Sequence, residues 1–316
     1  MKQKLIAIAG PTASGKTSLS VELALRLNGE VISADSMQVY RHMDIGTAKV
    51  TKEEAKGIPH HLIDILDPEE EWNVMLFQQK AKEAIADISS RGKIPILCGG
   101  TGFYVHALLY DTDFAEEEGD ELRESLEREM EEQGPEAMHA RLLQVDPESA
   151  AAIHPNNRKR VIRALEYYMM HGRPISRHNA EQHERSSPYD FLLFGIDMDR
   201  AVLYDRIERR VDQMMEEGLV QEVQDLLAQG IRPGMTSMQG LGYKEMIPYL
   251  EGKEELEESV RVLKRDTRHF AKRQLTWFRK EKDMIWLRAD DPNESLVSQA
   301  LRYIPKTFAE GPLILK

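Results

Sequence analysis

The sequence predicts an α/β protein, a parallel sheet core flanked by helices with an all-helical block inserted into it. Short apolar runs alternate with helical stretches over residues 1–112 and again over 190–316, the pattern of βα units. Gly10-Pro11-Thr12-Ala13-Ser14-Gly15-Lys16-Thr17 satisfies G-x-x-x-x-G-K-[ST], which makes the core P-loop NTPase-like. The alternation stops over 113–189, so that segment is expected to form a helical insertion domain.

The phosphate loop has the right context on both sides. Leu5 to Ala9 before it reads as a short buried strand, and Ser18 to Leu27 after it reads as a helix with Leu19, Leu23 and Leu27 on one face. Glycines let the backbone curl so that successive N–H groups point inward, and the helix N-terminus adds positive potential. Lys16 supplies a point charge, and the Thr17 hydroxyl is placed to ligate Mg²⁺. The motif identifies a phosphate and leaves open whether it belongs to a nucleotide.

Composition narrows the class further. The chain has 316 residues, 41% hydrophobic and 30% charged, as expected of a soluble globular protein in the cytoplasm. Its one cysteine, Cys98, excludes a disulfide framework and a Cys-based zinc site, and reads as a small buried hydrophobe. No apolar run approaches membrane-spanning length. The net charge of −12 argues against nucleic acid on average, but the charge is segregated. Glu116 to Glu132 is acidic, whereas Arg261 to Lys282 holds nine Lys and Arg residues against Asp266 and Glu281. The local field decides binding.

Taken in order, Glu30 to Ala34 is a second strand ending at Asp35. Ligands gather outside the carboxyl ends of parallel strands, so Asp35 reads either as a functional carboxylate beside the phosphate loop or as a helix N-cap. Pro59 to Leu66 suggests a strand whose His60 and His61 face opposite ways and do not chelate one metal. Val74 to Ser90 is a helix closed by Gly92, and Lys93 to Cys98 a strand ending in Gly99-Gly100-Thr101-Gly102. That second glycine loop would let backbone approach a ligand and makes Thr101 a candidate site hydroxyl.

The inserted helices break at Gly134-Pro135, Asp146-Pro147 and His154-Pro155. The acidic run is a solvated helix face over a stripe of Leu122, Leu126 and Met130. Arg158 to Arg163 is a basic cluster, ambiguous between surface charge and polyanion contact, and His178 and His183 read as surface residues. Phe191 to Ile196 returns to strand, followed by helices over Asp199 to Glu217, with Arg206, Arg209 and Arg210, and over Leu219 to Gln229. Gln239 to Lys244 opens a further helix through two glycines. Met284 to Leu287 is a last strand, and Ser295 to Tyr303 a last helix.

Glu254 to about Lys282 contains neither Pro nor Gly and predicts a helix roughly 40 Å long. Arg261, Lys264, Arg265, Arg268, Lys272 and Arg279 fall within a sector of about 100°, with Leu263, Phe270 and Trp277 opposite. A solvated helix usually mixes signs to gain i,i+4 pairs. An unmixed ridge of this length suits a nucleic-acid backbone better than a metabolite.

With these motifs together, the chain resembles the bacterial-type tRNA dimethylallyltransferases, also called tRNA isopentenyltransferases. GPTASGKT at 10–17, ADSMQVY at 34–40, MDIGTAK at 43–49 and PHHLIDILDP at 59–68 carry the resemblance. So do GGTG at 99–102, LGYKE at 241–245 and AKRQLTWFR at 271–279. Val50 stands where Pro is commoner, and Phe103 and His106 vary the stretch after GGTG. With one cysteine, these 316 residues are not expected to carry the zinc finger of eukaryotic members.

The resemblance implies transfer of a dimethylallyl group from dimethylallyl diphosphate to N6 of the adenosine just 3′ of the anticodon. It implies that Lys16, Mg²⁺ at Thr17 and Arg209 neutralise the leaving diphosphate, that Asp35 takes the amine proton, and that Thr101 sits near the transferring carbon. The adenosine would be flipped out of its stack to reach them. The family's tRNA contacts fall on Asp35, Ser36, Met37, Gln38, Thr101 and Arg123, and on Lys159, Arg160, Val161, Ile162 and Arg163 of the insertion, which would grip the anticodon stem. They continue on Gln239, Gly240, Leu241, Gly242, Tyr243 and Lys244, and on Lys272, Arg273, Gln274, Leu275, Thr276, Trp277, Phe278 and Arg279. A monomer is expected. A small-molecule kinase explains the phosphate loop alone, and an adenylate isopentenyltransferase has no need of the insertion or the basic helix. A GTPase-like switch would want an N-K-x-D motif, which is missing.

Overall fold

The computed structural model describes residues 2–114, 120–183 and 185–309. They fall into two compact units, Met1–Leu109 with Pro188–Lys316, and Tyr110–Ser187. In the first unit β1 (Gln3–Ala9) leads into α1 (Lys16–Leu27), β2 (Gly29–Ser33), the short α2 (Lys52–Ala55), β3 (His60–His61), α3 (Val74–Ser90), β4 (Ile94–Gly99) and α4 (Gly102–Leu109). The second unit holds α5 (Asp120–Gln133), α6 (Pro135–Val145), α7 (Pro147–Ala152), α8 (Arg158–His171) and α9 (Ile175–His183). The first then resumes with β5 (Tyr189–Asp197), α10 (Arg200–Glu217), α11 (Leu219–Ala228) and a 3-10 turn at Ser237–Gln239. It ends with α12 (Ile247–Leu250), α13 (Leu256–Phe278), β6 (Met284–Arg288), α14 (Leu296–Leu301) and α15 (Lys306–Ala309).

The six strands form one parallel sheet in the order β3-β2-β4-β1-β5-β6. Central parallel strands are covered on both faces, which is why β1, β4 and β5 read as continuous apolar runs rather than alternating ones. Ile6, Ile8, Ile96, Phe194 and Ile196 join Leu19 and Leu23 of α1 in one buried cluster. The register sets Ala9 beside Gly99 and Ser33 beside Cys98, so the strand ends that precede Gly10, Ala34 and Gly100 share one edge of the sheet. The functional loops therefore start from a common platform.

Three sequence expectations change. The strand expected over 59–66 pairs with β2 only at His60 and His61, because Leu62 and Asp64 adopt left-handed φ values of 63° and 56° and turn the chain away, and Leu66 then makes a single parallel bridge to Tyr40. Gln239 to Lys244 does not open a helix. It runs from the 3-10 turn into successive turns, with the Tyr243 N–H bonded to the Gly240 carbonyl and the Met246 N–H to that of Tyr243. The basic helix spans 23 residues, or about 34 Å, because Glu255 is already extended and the chain leaves in tight turns after Arg279.

The helical unit has its own core of Leu126, Met130, Met138, Leu142, Val161 and Leu165. Asp146 ties it together: its carboxylate accepts the Ser149 and Ser176 N–H groups at 3.0 Å and both serine hydroxyls. The first part of the acidic run, Glu116 to Glu118, and the His183 side chain lie outside the described residues. His178 is half-buried rather than on the surface, its ring 5.2 Å from that of Tyr167 and its Nε2 on the Asp113 carbonyl. Among the described residues no helix is long and apolar enough to cross a membrane.

Candidate active site

The phosphate loop, the Asp35 loop, the second glycine loop, the 239–244 turns, α10 and α13 enclose a cavity of about 320 Å³ in the first unit. Ala13 at φ 62° and Gly15 at φ 96° curl the phosphate loop into α1. Lys16 points back across it and donates from Nζ to the Pro11 carbonyl at 2.7 Å. Desolvation, with Arg210 assisting, pulls the Lys16 ammonium down to about pKa 8 against the opposing pull of Asp35. Thr17 adds a hydroxyl at the first turn of α1.

Asp35 follows the last residues of β2 and turns on itself, its Oδ1 accepting the Met37 N–H at 2.9 Å. Burial pushes its carboxyl above the ordinary aspartate range, outweighing the Met37 hydrogen bond and the charge of Lys16. Thr101, anchored by its N–H on the Ala34 carbonyl at 3.4 Å, also lines the cavity. Gln38 accepts from the Ser33 hydroxyl at 3.0 Å and donates to the Thr47 carbonyl at 3.2 Å, which links β2 to the 46–48 loop.

Glu222 of α11 holds that loop from outside. Its carboxylate accepts the N–H groups of Asp44, Ile45 and Gly46 at 2.8, 2.8 and 3.0 Å, and the Tyr243 hydroxyl at 2.7 Å. A Cβ on Gly46 would lie 2.6 Å from the Tyr243 ring, so glycine is required where the two meet. Sequence reasoning missed Glu222, since nothing local marks a carboxylate whose partners lie 176 to 178 residues away.

The expected site residues separate into groups. Thr12, Lys16, Thr17, Asp35 and Thr101 line the cavity, as do Ser36, Met37 and Gln38. Gln239, Gly240, Leu241 and Lys244 line it from the turns, and Arg273 and Gln274 from α13. Tyr243 and Phe278 are fully buried, which corrects their expected contact with RNA. Val161 and Ile162 belong to the core of the helical unit, which leaves Lys159 and Arg160 exposed and Arg163 half-buried beside them on α8. Arg123 pairs with Glu127 in that same unit.

Arg209 is also corrected. It is ion-paired with Asp205 and is not a lining residue, whereas the next residue, Arg210, also exposed, lines the cavity. Counting from buried Ile207 at 100° per residue, Arg210 lies about 60° away and Arg209 about 160° away. Ile207, Val211 and Met214 lie on the same face and meet Leu263 and Phe270 of α13 to give the cavity an aliphatic and aromatic wall. Cys98 is half-buried on the cavity lining rather than fully buried.

The cationic ridge is less open than the sequence suggests. Lys264 pairs with Asp212 at 2.6 Å and Arg268 with Glu208 at 2.7 Å, both carboxylates coming from α10. Arg261 and Arg265 pair with Glu258 and Asp266, and Arg279 lies 3.9 Å from Asp197. Among the described residues Lys272 and Arg273 have no carboxylate partner, and Arg273 lies 5.7 Å over the Phe270 ring. The buried stripe of α13 is Ser259, Leu263, Thr267, Ala271, Gln274 and Phe278, while Trp277 is 38% exposed.

A cavity that joins a phosphate loop to an apolar wall and a half-buried carboxylate fits a P-loop enzyme whose substrate carries both a phosphate and an apolar part. Comparisons with known proteins narrow this class. A family model described as IPP transferase matches residues 38–281, and one described as isopentenyl transferase matches 3–66. A tRNA dimethylallyltransferase of Lachnoclostridium phytofermentans is 56% identical over 313 residues, covering 99% of each chain. One from Acetivibrio thermocellus is 50% identical over 307 residues, covering 96% of this chain and 98% of the relative.

The crystal structure of a tRNA isopentenylpyrophosphate transferase from Bacillus halodurans superposes with a TM-score of 0.73 at 48% identity, covering 98% of this chain and 97% of the other. A eukaryotic dimethylallyltransferase acting on tRNA superposes at 0.81 with 34% identity, covering 95% of this chain and 77% of the other. The chain belongs to the tRNA dimethylallyltransferase family.

Proposed function

We propose that the protein transfers a dimethylallyl group from dimethylallyl diphosphate to N6 of the adenosine immediately 3′ of the anticodon, giving N6-dimethylallyladenosine and pyrophosphate. The observation that carries this is one cavity lined together by Lys16, Arg210, Asp35 and an apolar wall. The cations bind the diphosphate and the wall takes the five-carbon chain. As the allylic C–O bond breaks, charge grows on the leaving diphosphate, where Lys16, Arg210 and the loop N–H groups stabilise it. The N6 lone pair forms the new C–N bond. Asp35 accepts a hydrogen bond from the amine and then its proton, a role suited to a carboxyl pushed above its usual range. Thr101 lies beside the transferring carbon and the bridging oxygen.

One hydroxyl at the head of α1, with the remaining ligands coming from phosphate and water, is the donor set Mg²⁺ takes at phosphate sites. Thr17 would hold the ion there, where it would add charge to neutralise the diphosphate.

An adenine stacked in an anticodon loop does not reach such a cavity, so the base enters flipped. Ser36, Met37, Gln38, Gln239, Gly240, Leu241 and Lys244 line its path. Lys272 and Arg273 supply unpaired charge for the backbone, and in the helical unit Arg123, Lys159, Arg160 and Arg163 grip the anticodon stem. The enzyme works as a cytoplasmic monomer. Incubation with labelled dimethylallyl diphosphate, Mg²⁺ and unmodified tRNA, with AMP and ATP as competitors, tests the proposal. Label in tRNA supports it; label in AMP, or phosphate transfer from ATP, refutes it.

A further inference from the structure

Gln274 lies between residues expected to meet RNA, yet it is only 6% exposed. Its Oε1 accepts the Thr12 N–H at 2.9 Å, and its Nε2 donates to the Gly100 carbonyl at 2.9 Å. A Cβ on Gly100 would stand 2.2 Å from that Nε2, so glycine at 100 makes room for the amide. One side chain of α13 therefore joins the phosphate loop to the glycine loop that presents Thr101, across separations of 262 and 174 residues.

We propose that Gln274 is a positioning residue for group transfer: its amide sets the spacing between the loop that binds the diphosphate and the loop beside the reacting carbon. This rests on the dimethylallyl transfer proposed above. The role needs one acceptor and one donor at the end of a five-atom side chain, which is what a glutamine amide supplies. A lysine would donate to Gly100 and leave the Thr12 N–H unpaired. An ionised glutamate would accept from Thr12 and set a carboxylate oxygen against the Gly100 carbonyl. A neutral glutamic acid reproduces the amide pattern, with one oxygen accepting from Thr12 and the acid O–H donating to Gly100. The expected defect of Q274E is therefore reversible by acid, which a general loss of packing is not.

The test measures dimethylallyl transfer to an anticodon stem-loop RNA for wild type, Q274E and Q274M between about pH 5.5 and 8.5, with RNA affinity measured in parallel. Near pH 8, kcat/KM for dimethylallyl diphosphate should fall about 10- to 100-fold in both variants while RNA affinity stays within about twofold. Toward pH 5.5 the Q274E deficit should shrink about tenfold, since burial and the facing carbonyl favour the neutral acid, and the Q274M deficit should not. A wild type that transfers nothing overturns the proposed activity and this inference with it. An active wild type beside a Q274E enzyme of unchanged rate, or one whose deficit is flat with pH, overturns the positioning role alone. Should Q274E not fold, Q274M decides: a selective loss in kcat/KM supports the role, and an equal loss of RNA affinity refutes it.

Discussion

Replacing Arg210 by alanine should damage the enzyme far more than replacing Arg209, although the two are adjacent. Arg210 lines the cavity, and although its side chain is still exposed, partial desolvation lowers its pKa and its charge can reach an anion held by Lys16. A charge-assisted hydrogen bond of this kind contributes about 1.5–3 kcal/mol. At 1.36 kcal/mol per tenfold, R210A should lose about 10- to 150-fold in kcat/KM for dimethylallyl diphosphate. Most of that loss should appear in kcat if the contact strengthens as the leaving group gains charge. Arg209 points to solvent against Asp205, so R209A should stay within about twofold of wild type. The assay is steady-state transfer to saturating anticodon stem-loop RNA with the donor varied. Equal losses in the two variants would refute the assignment, as would a loss in R210A confined to the KM for RNA.

Other outcomes follow from the same geometry. Asp35→Asn should lower kcat by about 10²- to 10⁴-fold with RNA affinity nearly kept, the usual range for losing a general base, and equal losses would argue for a binding role. Because burial raises the Asp35 pKa, its working carboxylate is lost as pH falls through that raised value, so the acid limb of kcat should begin above the usual ~3.9. For Lys16 the sign is opposite: its cation is lost as pH rises through about 8, so kcat/KM for the donor should fall on that side. Titration of K16R, whose cation persists, should lack that basic limb. Lys272→Glu should weaken RNA binding and lower its salt slope by about one, whereas Arg268→Ala should do less because Arg268 is held by Glu208; filter binding at several salt concentrations separates them. Glu222→Ala strips the partner from three N–H groups and the Tyr243 hydroxyl and should cost about 2–4 kcal/mol in urea unfolding. An unchanged midpoint would show that the 44–46 loop needs no clamp.

What the sequence disclosed was local. The strand, curled loop and helix over 3–27 lie within one short stretch, and each piece carries its own signal, so the phosphate loop was legible. The helical unit was legible for the same reason, because Pro135 starts a helix after Gly134 and Pro147 starts one capped by Asp146. The choice between Arg209 and Arg210 turns on the phase of one helix, and the apolar spacing of Leu203, Ile207 and Val211 carries that phase in the sequence itself. The pairing of Lys264 and Arg268 with α10 was not legible, since nothing local to α13 announces a carboxylate more than fifty residues away. The left-handed turns at Leu62 and Asp64 were hidden as well, because an apolar run bounded by turn residues reads as a strand.

Those pairs change where the molecule is electropositive. If the whole ridge were unpaired, RNA would be attracted along the length of α13. With Lys264 and Arg268 paired, the excess of cations lies at the cavity, where Lys16, Arg210 and Arg273 share the lining with the one carboxylate of Asp35 while Lys244 lies 3.8 Å from Glu245. A chain with a net charge of −12 can then draw a polyanion to one place and repel it elsewhere. The same balance governs Asp35. Lys16 favours its charged form, and burial, the larger effect, favours the neutral acid. More positive charge would bind diphosphate better while weakening the base, and less would leave the departing diphosphate uncompensated. On the proposed transfer, the excess of cations over carboxylate in the cavity answers two opposed requirements of one reaction, and a variant that adds a lysine to the wall should tighten donor binding while slowing proton removal.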